Sequence, residues 1–126
     1  MVNVFIVEDH AVIRQGYVLV LRREPDICIC GEADSGEAAL VQIRTAPNGV
    51  PDIVLVDFSL PGMNGLEVVQ HLGKERPGLP TIVISGHEDE GFIEGILAAG
   101  ATRYIVKERA AQLLVTTIRQ VIQHSP

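Results

Sequence analysis

The stretch IVLVDFSLPGMNG, residues 53–65, contains the pattern that decides the fold. Its first four side chains are aliphatic, which is typical of a strand that is buried on both faces of a parallel sheet. The strand ends at Asp57, and residues 59–65 are rich in proline and glycine, which predicts a turn. A carboxylate therefore stands at the end of a buried strand, and open α/β sheets bind their ligands beyond the carboxyl ends of their strands.

Short apolar runs and longer amphipathic segments alternate on either side of this stretch. Four more strands are predicted, over residues 3–7, 27–33, 81–85 and 103–106. The predicted helices cover residues 9–23, 35–45, 66–75, 89–99 and 110–124. Asp9 and Ser35 are predicted N-terminal caps, Gly100 is a predicted helix stop, and residues 46–51 are a predicted loop. Five strands that alternate with five helices indicate an α/β fold with a doubly wound five-stranded parallel sheet.

The composition fits one domain of 126 residues with a mostly aliphatic core, because hydrophobic residues make up 47% and aromatic residues only 4%. The net charge of −6 disfavours direct binding of this chain to nucleic acid. The sequence has no basic, apolar leader and no membrane-length run, so we expect a soluble, cytoplasmic protein with no membrane partner. Cys28 and Cys30 are interpreted as reduced thiols, since two thiolates without nearby partners cannot complete a zinc site.

Polar side chains follow four of the predicted strands, close to the points where those strands end. Three are acids and the others are a hydroxyl and an ammonium: Glu8, Asp9, Asp57, Ser85 and Lys107. Each one alone is more simply explained as a helix cap, a structural hydroxyl or a surface charge. Together they predict a metal site, because two carboxylates roughly 5 Å apart repel by about 3 kcal/mol at an effective dielectric of about 20. Mg²⁺ prefers a few carboxylates, waters and a phosphate oxygen.

The same five side chains suit the transfer of a phosphoryl group. A carboxylate can act as a covalent nucleophile towards phosphorus, while a metal and an ammonium neutralise charge on the transferred group. A hydroxyl can donate a hydrogen bond to one of the phosphoryl oxygens. The sequence has neither a nucleotide-binding P-loop nor a dinucleotide-binding glycine motif.

Four segments of the chain resemble the receiver domain of bacterial two-component response regulators, the CheY-like superfamily. They are FIVEDH at residues 5–10, IVLVDFSLPGMNGLEV at 53–68, TIVISGHED at 81–89 and AAGATRYIVKE at 98–108. The resemblance covers essentially the whole chain, residues 1–126, and is strongest to the NarL/FixJ subfamily. It implies a single receiver domain with a flavodoxin-like sheet in the strand order 2-1-3-4-5.

The resemblance implies a role for each acidic position. Asp57 would accept the phosphoryl group. Asp9 would bind Mg²⁺ directly and Glu8 would bind it through a water molecule. Asp57 and the backbone carbonyl of Ser59 would complete the protein's share of metal ligands, and Mn²⁺ could take the place of Mg²⁺.

The resemblance also implies a conformational switch. Lys107 would pair with Asp57 or its phosphoryl group, and the hydroxyl of Ser85 would bind a phosphoryl oxygen. Tyr104 would report the phosphorylation state by turning inward or outward, but an ordinary tyrosine packed at a strand edge would look the same in the sequence. His87 is interpreted as a solvated loop residue.

The implied function is a phosphorylation-activated signalling switch whose partner is a sensor histidine kinase. Apart from self-phosphorylation from phosphodonors and slow self-dephosphorylation, no enzymatic activity is expected. The chain stops at Ser125-Pro126, and the subfamily usually continues into a DNA-binding domain. We therefore expect the regulatory part of a LuxR/NarL-type transcription regulator, with DNA binding in a C-terminal domain absent from this chain and a possible homodimer on phosphorylation.

One position departs from the family pattern. Many receiver domains have a proline with a cis peptide after the lysine, whereas Glu108 follows Lys107 here. A cis bond before a residue other than proline costs about 2.5–4 kcal/mol, which disfavours that geometry in this chain.

Three other functions are open at this point. A receiver-like interaction module that is never phosphorylated would lack an acid, the lysine or the hydroxyl. A phosphatase similar to the haloacid dehalogenases would need a second aspartate two residues after the nucleophile, where this sequence has Ser59. A flavodoxin-type cofactor carrier would need a phosphate-binding first loop, but Glu8 and Asp9 repel phosphate unless a metal is present.

Overall fold

The computed structural model describes residues 1–47 and 50–123, and its five strands form one parallel sheet in the order β2-β1-β3-β4-β5. The strands are β1 (Val2–Val7), β2 (Ile27–Ala33), β3 (Ile53–Asp57), β4 (Thr81–Ser85) and β5 (Arg103–Val106). The helices are α1 (Ala11–Arg22), α2 (Gly36–Arg44), α3 (Gly65–Glu75), α4 (Glu90–Ala98) and α5 (Ala110–Gln123). A short 3₁₀ turn, Lys107–Arg109, joins β5 to α5.

The predicted fold class and strand order are confirmed. Parts of two predicted segments lie outside the described residues. They are Asn48 and Gly49 of the loop, and His124 at the end of the last helix with Ser125 and Pro126 after it. No helix in the described ranges is long and apolar enough to cross a membrane.

The central strands bury both of their faces because helices cover the sheet on both sides. Alternate side chains of each strand point to opposite faces. One face, shared with α1 and α5, includes Val4, Ile6, Ile53 and Leu55. The other face, shared with α2 and α3, includes Phe5, Val7, Val54 and Val56. Burial of each such side chain contributes about 1.5–3 kcal/mol, so the strands that carry the polar residues at their ends are firmly held.

The register of the strands brings their carboxyl ends to one edge of the sheet. In the β3–β4 pair, Asp57 lies beside the residue that precedes Ser85. In the β4–β5 pair, Ser85 lies beside the residue that precedes Lys107. In the β1–β3 pair, the residues that precede Glu8 and Asp57 lie side by side. The polar residues identified in the sequence therefore stand along a single edge.

Two of the three predicted helix boundaries are confirmed and one is wrong. Ser35 caps α2 through a hydrogen bond from the backbone N of Ala38, 3.1 Å long. Gly100 follows α4 with a φ of +123°, a conformation that favours glycine. Asp9 does not cap α1, because the N-cap position is His10, which makes no side-chain cap hydrogen bond. Asp9 lies one residue too early to reach the first free amides of α1, which leaves its carboxylate available at the sheet edge.

Helix α4 is held to the sheet by few buried side chains. Ile96 is its one buried residue among those described, whereas each of the other four α-helices buries three or four. Gly91 and Gly95 lie within α4, and a glycine inside a helix costs about 1 kcal/mol relative to alanine. We therefore expect α4 to be the least stable helix of the domain.

Cys28 and Cys30 are free thiols on β2, which is an edge strand. Cys30 falls at the shift in register between β1 and β2 and is exposed. Although the residue as a whole is exposed, partial burial of its thiol raises the pKa of Cys30, and the nearby Cys28 adds to this rise. A raised pKa keeps the thiol protonated and less reactive.

Gly65 lies where α3 begins, directly against the end of β3. A Cβ atom on this residue would lie 2.6 Å from the backbone oxygen of Asp57 and 2.7 Å from the Cα atom of Phe58. These are backbone atoms, which cannot move aside without shifting the strand. A glycine is therefore required for α3 to begin so close to Asp57.

Replacing Gly65 by alanine is expected to lower the free energy of unfolding by about 1–3 kcal/mol, since the added methyl group overpacks the end of β3. Gly73→Ala is the matched control, because Gly73 lies on the same helix with open space around it. That substitution is expected to raise the free energy of unfolding by up to about 1 kcal/mol. Urea unfolding monitored by circular dichroism measures both values. Equal effects of the two substitutions would contradict the close approach at Gly65.

Candidate functional site

Three acidic residues gather at the carboxyl edge of the sheet. Asp57 ends β3 and is 2% exposed, and Glu8 follows β1 and is completely buried. Asp9 is the next residue and is half-buried. Because β1 and β3 are neighbouring strands, these carboxylates form one acidic cluster instead of three separate surface charges.

Lys107 adds a positive charge to this cluster from the end of β5, which is the edge strand beside β4. Its Nζ lies 3.1 Å from Asp57 Oδ1 and donates a hydrogen bond to it. The same atom lies 3.3 Å from Glu8 Oε1. One ammonium thus faces two buried carboxylates, and the cluster keeps an excess of negative charge.

Three buried carboxylate oxygens in this cluster have no hydrogen-bond partner among the described residues: Glu8 Oε1, Asp9 Oδ1 and Asp57 Oδ2. Glu8 Oε1 is close to the ammonium of Lys107, but the contact lacks hydrogen-bond geometry. Buried polar atoms are normally hydrogen-bonded, so unpartnered ones require an explanation. A hard divalent cation such as Mg²⁺ fits this set of donors, because it prefers a small number of carboxylate oxygens.

The electrostatics of the cluster oppose the charge on Asp57. Burial raises the pKa of Asp57 above its usual value, and the hydrogen bond from Lys107 only partly offsets this. The negative charges of Glu8 and Asp9 add to the rise. Burial lowers the pKa of Lys107, but the hydrogen bond and charge of Asp57 and the charge of Glu8 outweigh it, so the net shift is upward. The ammonium therefore stays charged while the site still lacks positive charge.

Two residues that the sequence did not single out hold Glu8 in place. The backbone N of His10 donates to Glu8 Oε2 over 3.1 Å, and the Nδ1 atom of His10 lies 3.3 Å from the same oxygen. Arg14 donates from Nη1 to the backbone oxygen of Glu8 over 2.6 Å and from Nε to Glu32 over 3.2 Å. In the sequence, only their closeness to Glu8 pointed to this role, because His10 lies 2 residues and Arg14 lies 6 residues after it.

Ser85 lies at the end of β4 and is 1% exposed, but its hydroxyl is bonded away from the acidic cluster. Ser85 Oγ lies 2.9 Å from Nδ1 of His87 and accepts a hydrogen bond from the backbone N of His87 over 3.2 Å. His87 is an exposed loop residue, as predicted, but its ring is not free. It stacks on Phe92 of α4 with the ring centroids 4.2 Å apart. This contact could not be predicted from the sequence, because it joins two elements that are apart in the chain.

Tyr104 is half-buried on β5, and its hydroxyl donates to the backbone oxygen of His87 over 2.8 Å. Its ring meets Phe92 edge to face, with the centroids 6.2 Å apart. Burial raises the pKa of the Tyr104 hydroxyl. Tyr104 is therefore tied to the loop between β4 and α4, which also holds the hydroxyl of Ser85.

Ser59 and Lys107 both show a backbone feature that bears on the sequence predictions. Ser59 is exposed, and its carbonyl accepts no hydrogen bond from the described residues, which leaves it available to a ligand. The Lys107–Glu108 peptide is trans, because the cis peptide found in the described residues is Val50–Pro51. The family's cis geometry after the lysine is therefore absent at this position.

A doubly wound sheet with an acidic edge and a paired lysine defines the receiver type of α/β domain. The sequence profile of the response regulator receiver domain matches residues 4–119, and the chain belongs to this family. Receiver domains are the signalling switches of two-component systems, not conventional enzymes, and they bind Mg²⁺ at an acidic pocket. The resemblance drawn from the sequence is confirmed.

The relatives of this chain are response regulators of the LuxR/NarL type. The response regulator UvrY of Escherichia coli is 36% identical over 121 residues, which are 96% of this chain and 54% of that protein. The transcriptional regulatory protein DegU of Brevibacillus brevis is 31% identical over 122 residues, which are 97% of this chain and 50% of that protein. The receiver domain of NarL from Mycobacterium tuberculosis has a TM-score of 0.88 at 28% identity, with 98% of this chain and 97% of that one covered. The chain spans about half the length of the curated relatives it matches.

Asp57→Asn is expected to raise the free energy of unfolding at neutral pH by about 1–3 kcal/mol, since it removes a buried charge with an unpartnered oxygen. The raised pKa of Asp57 fixes the pH dependence. The folded protein keeps this proton at pH values where the unfolded chain has lost it, so stability falls as the pH rises through the folded-state pKa. The difference between variant and wild type should therefore vanish below the unfolded-state pKa and be complete once the pH exceeds the raised folded-state pKa.

Urea unfolding of both proteins over a series of pH values measures this difference. Asp34→Asn is the control, because Asp34 is an exposed acid with no ion pair among the described residues. Its effect should stay within about 0.5 kcal/mol at every pH. A loss of stability in Asp57→Asn at neutral pH, or a gain that does not change with pH, would show that Asp57 is not under electrostatic stress.

Proposed function

We propose that this chain is a phosphorylation switch that accepts a phosphoryl group on Asp57 from a sensor histidine kinase in a reaction that requires Mg²⁺. The observation that carries the proposal is that the two carboxylate oxygens of Asp57 differ in their hydrogen bonding. Oδ1 is held by Lys107, while Oδ2 is buried and has no hydrogen-bond partner in the part of the chain that the structure describes. A nucleophile held in a fixed position lowers the barrier to transfer, because its orientation is set before the reaction.

Glu8, Asp9, Asp57 and the backbone carbonyl of Ser59 are the groups that would hold the metal. Asp9 is free for this role since it does not cap α1. Glu8 is fixed by His10 and Arg14, which suits a residue that acts on the metal through water. Bound Mg²⁺, or Mn²⁺ in its place, would neutralise charge on the carboxylates and on the phosphoryl oxygens.

The transfer forms one bond and breaks another. A carboxylate oxygen of Asp57 attacks the phosphorus of a phosphohistidine, the new O–P bond forms and the N–P bond breaks. The imidazole of the kinase leaves with the bonding electron pair and takes up a proton. Lys107 is placed to stabilise the negative charge of the phosphoryl oxygens, because its ammonium lies beside Asp57.

The phosphoryl group adds a charge of about −1.5 to −2 next to Ser85. Ser85 is the nearby hydroxyl donor that we expect to turn towards it, and Tyr104 is bonded to the same loop. Helix α4 has little buried surface, so it is the element that this change can most easily move. The effect is a shift in population between two conformations.

We infer that residues 1–126 form a single receiver domain of a LuxR/NarL-type transcription regulator. The relatives are about twice as long as this chain, which supports a further domain that binds DNA. The surface charge of this chain is unfavourable for DNA binding on its own, since its net charge is −6. Formation of a homodimer after phosphorylation belongs to the same proposal.

Incubation with Mg²⁺ and a small phosphodonor such as acetyl phosphate should add one phosphoryl group to the wild-type chain. Intact-mass spectrometry detects the addition. Asp57→Asn should gain none, while Asp34→Asn, which alters an exposed acid with no ion pair among the described residues, should be modified like the wild type. Removal of Mg²⁺ with a chelator should prevent the modification because the clustered carboxylates repel the donor.

Two outcomes would contradict the proposal. Modification of Asp57→Asn to the same extent as the wild type would place the phosphoryl group elsewhere. A wild-type chain that gains no phosphoryl group, with either a small donor or a phosphorylated kinase, would indicate a receiver-like interaction module instead.

A further inference from the structure

His87 joins three elements around the hydroxyl of Ser85. Its Nδ1 atom lies 2.9 Å from Ser85 Oγ, and its backbone N donates to the same oxygen over 3.2 Å. Its backbone carbonyl accepts the hydrogen bond of Tyr104 over 2.8 Å. Its ring lies flat against Phe92, with the planes at 21°. One loop residue therefore contacts the end of β4, the middle of β5 and the first turn of α4.

The hydroxyl of Ser85 has a single proton to donate. The backbone N–H of His87 already donates to Oγ, so that contact uses an acceptor position of the hydroxyl. Two side-chain acceptors are in range of the hydroxyl among the described residues, the Nδ1 atom of His87 at 2.9 Å and the hydroxyl of Tyr104. A hydrogen bond from Oγ to Nδ1 requires the proton of the neutral imidazole to be on Nε2. A phosphoryl oxygen on Asp57 would need the same Ser85 proton, so the ring and the phosphoryl group are mutually exclusive acceptors.

We propose that His87 is a positioning residue that holds the unphosphorylated conformation by binding the Ser85 hydroxyl in competition with the phosphoryl group. The proposal rests on the proposed function of Asp57 and deepens it. When Ser85 turns to the phosphoryl group, His87 loses its hydrogen bond from Oγ. The carbonyl that holds Tyr104 belongs to the same residue, so the release of Ser85 also loosens Tyr104.

The packing around His87 explains why its release reaches α4. Phe92 stacks on His87 and also meets Phe58 edge to face, with the centroids 4.9 Å apart. These ring contacts lie at the start of a helix whose one buried residue among those described is Ile96. Aromatic pairs attract each other beyond the effect of burial, so these contacts are a large share of what fixes α4. His87 thus links the phosphorylation site to the least anchored helix.

Two substitutions separate the hydrogen bond from the ring contact. His87→Phe keeps an aromatic ring against Phe92 and removes the acceptor. His87→Asn keeps an acceptor near the position of Nδ1 and removes the ring. His87 is exposed in a loop, so neither substitution disturbs the core, and circular dichroism checks the fold of each variant.

The readout is the affinity for BeF₃⁻, a mimic of the phosphoryl group, measured by calorimetry in the presence of Mg²⁺. His87→Phe should bind BeF₃⁻ about fivefold more tightly than the wild type, the factor that corresponds to about 1 kcal/mol for one net hydrogen bond. His87→Asn should stay within about twofold of the wild type, since an acceptor remains. In a Ser85→Ala background, His87→Phe should change nothing, because no hydroxyl is left to compete for.

An unchanged or weaker affinity in His87→Phe would overturn the proposal. So would an equal gain with and without the Ser85 hydroxyl, because it would place the effect in the aromatic contacts. A wild-type chain that does not bind BeF₃⁻ at all would refute the proposed function of Asp57, which is a separate result.

The ring nitrogens of His87 give a second test that needs no phosphoryl mimic. ¹⁵N NMR of the free wild-type protein near pH 8 should show the Nε2–H tautomer, with Nδ1 hydrogen-bonded. Ser85→Ala should remove the signature of that hydrogen bond. A proton found on Nδ1 would reverse the direction of the bond and refute the competition.

Discussion

The buried pair of Glu8 and Asp57, which share the single ammonium of Lys107, is the constraint on which the rest of the site depends. Two charges taken out of water are costly unless they are paired and hydrogen-bonded. Here the pairing is incomplete, because one oxygen on each carboxylate has no hydrogen bond among the described residues. The domain tolerates this stress because the two strands that carry the acids are buried on both faces and cannot withdraw them from each other.

The incomplete pairing of these buried carboxylates links the stability of the domain to its proposed function. A site that lacks positive charge gains most when a divalent cation binds, and it then offers a neutralised environment to a phosphoryl group. In the proposed switch, the acidic cluster would drive binding, while different residues on the opposite side of Asp57 would carry the response. Ser85, His87 and Tyr104 form a chain of hydrogen bonds that ends at β5, and the ring contacts of His87 extend it to α4. The proposal therefore separates binding and response in space, with the Asp57 carboxylate between them.

Most of the fold and the central acids could be predicted because the aliphatic run before Asp57 is a strong local signal. The order of short apolar and longer amphipathic segments was enough to predict five strands and five helices. The contacts between helices, strands and loops could not be predicted from the sequence. His87 looks like a solvated loop residue until Phe92 is seen beside it, and Arg14 looks like a surface charge until it is seen on the backbone of Glu8. The predicted cap at Asp9 was wrong because a shift of one residue at a helix start cannot be read from capping preferences alone.

The most direct test of the electrostatic claim is the affinity for Mg²⁺, measured by isothermal titration calorimetry. We predict one site in the wild type, much weaker binding in Asp9→Asn, and binding on the order of tenfold tighter in Lys107→Gln, a change of about 1.4 kcal/mol. The gain is expected because the ammonium and the metal compete for the same carboxylates. Weaker or unchanged binding in Lys107→Gln, or full affinity in Asp9→Asn, would contradict a site defined by uncompensated negative charge.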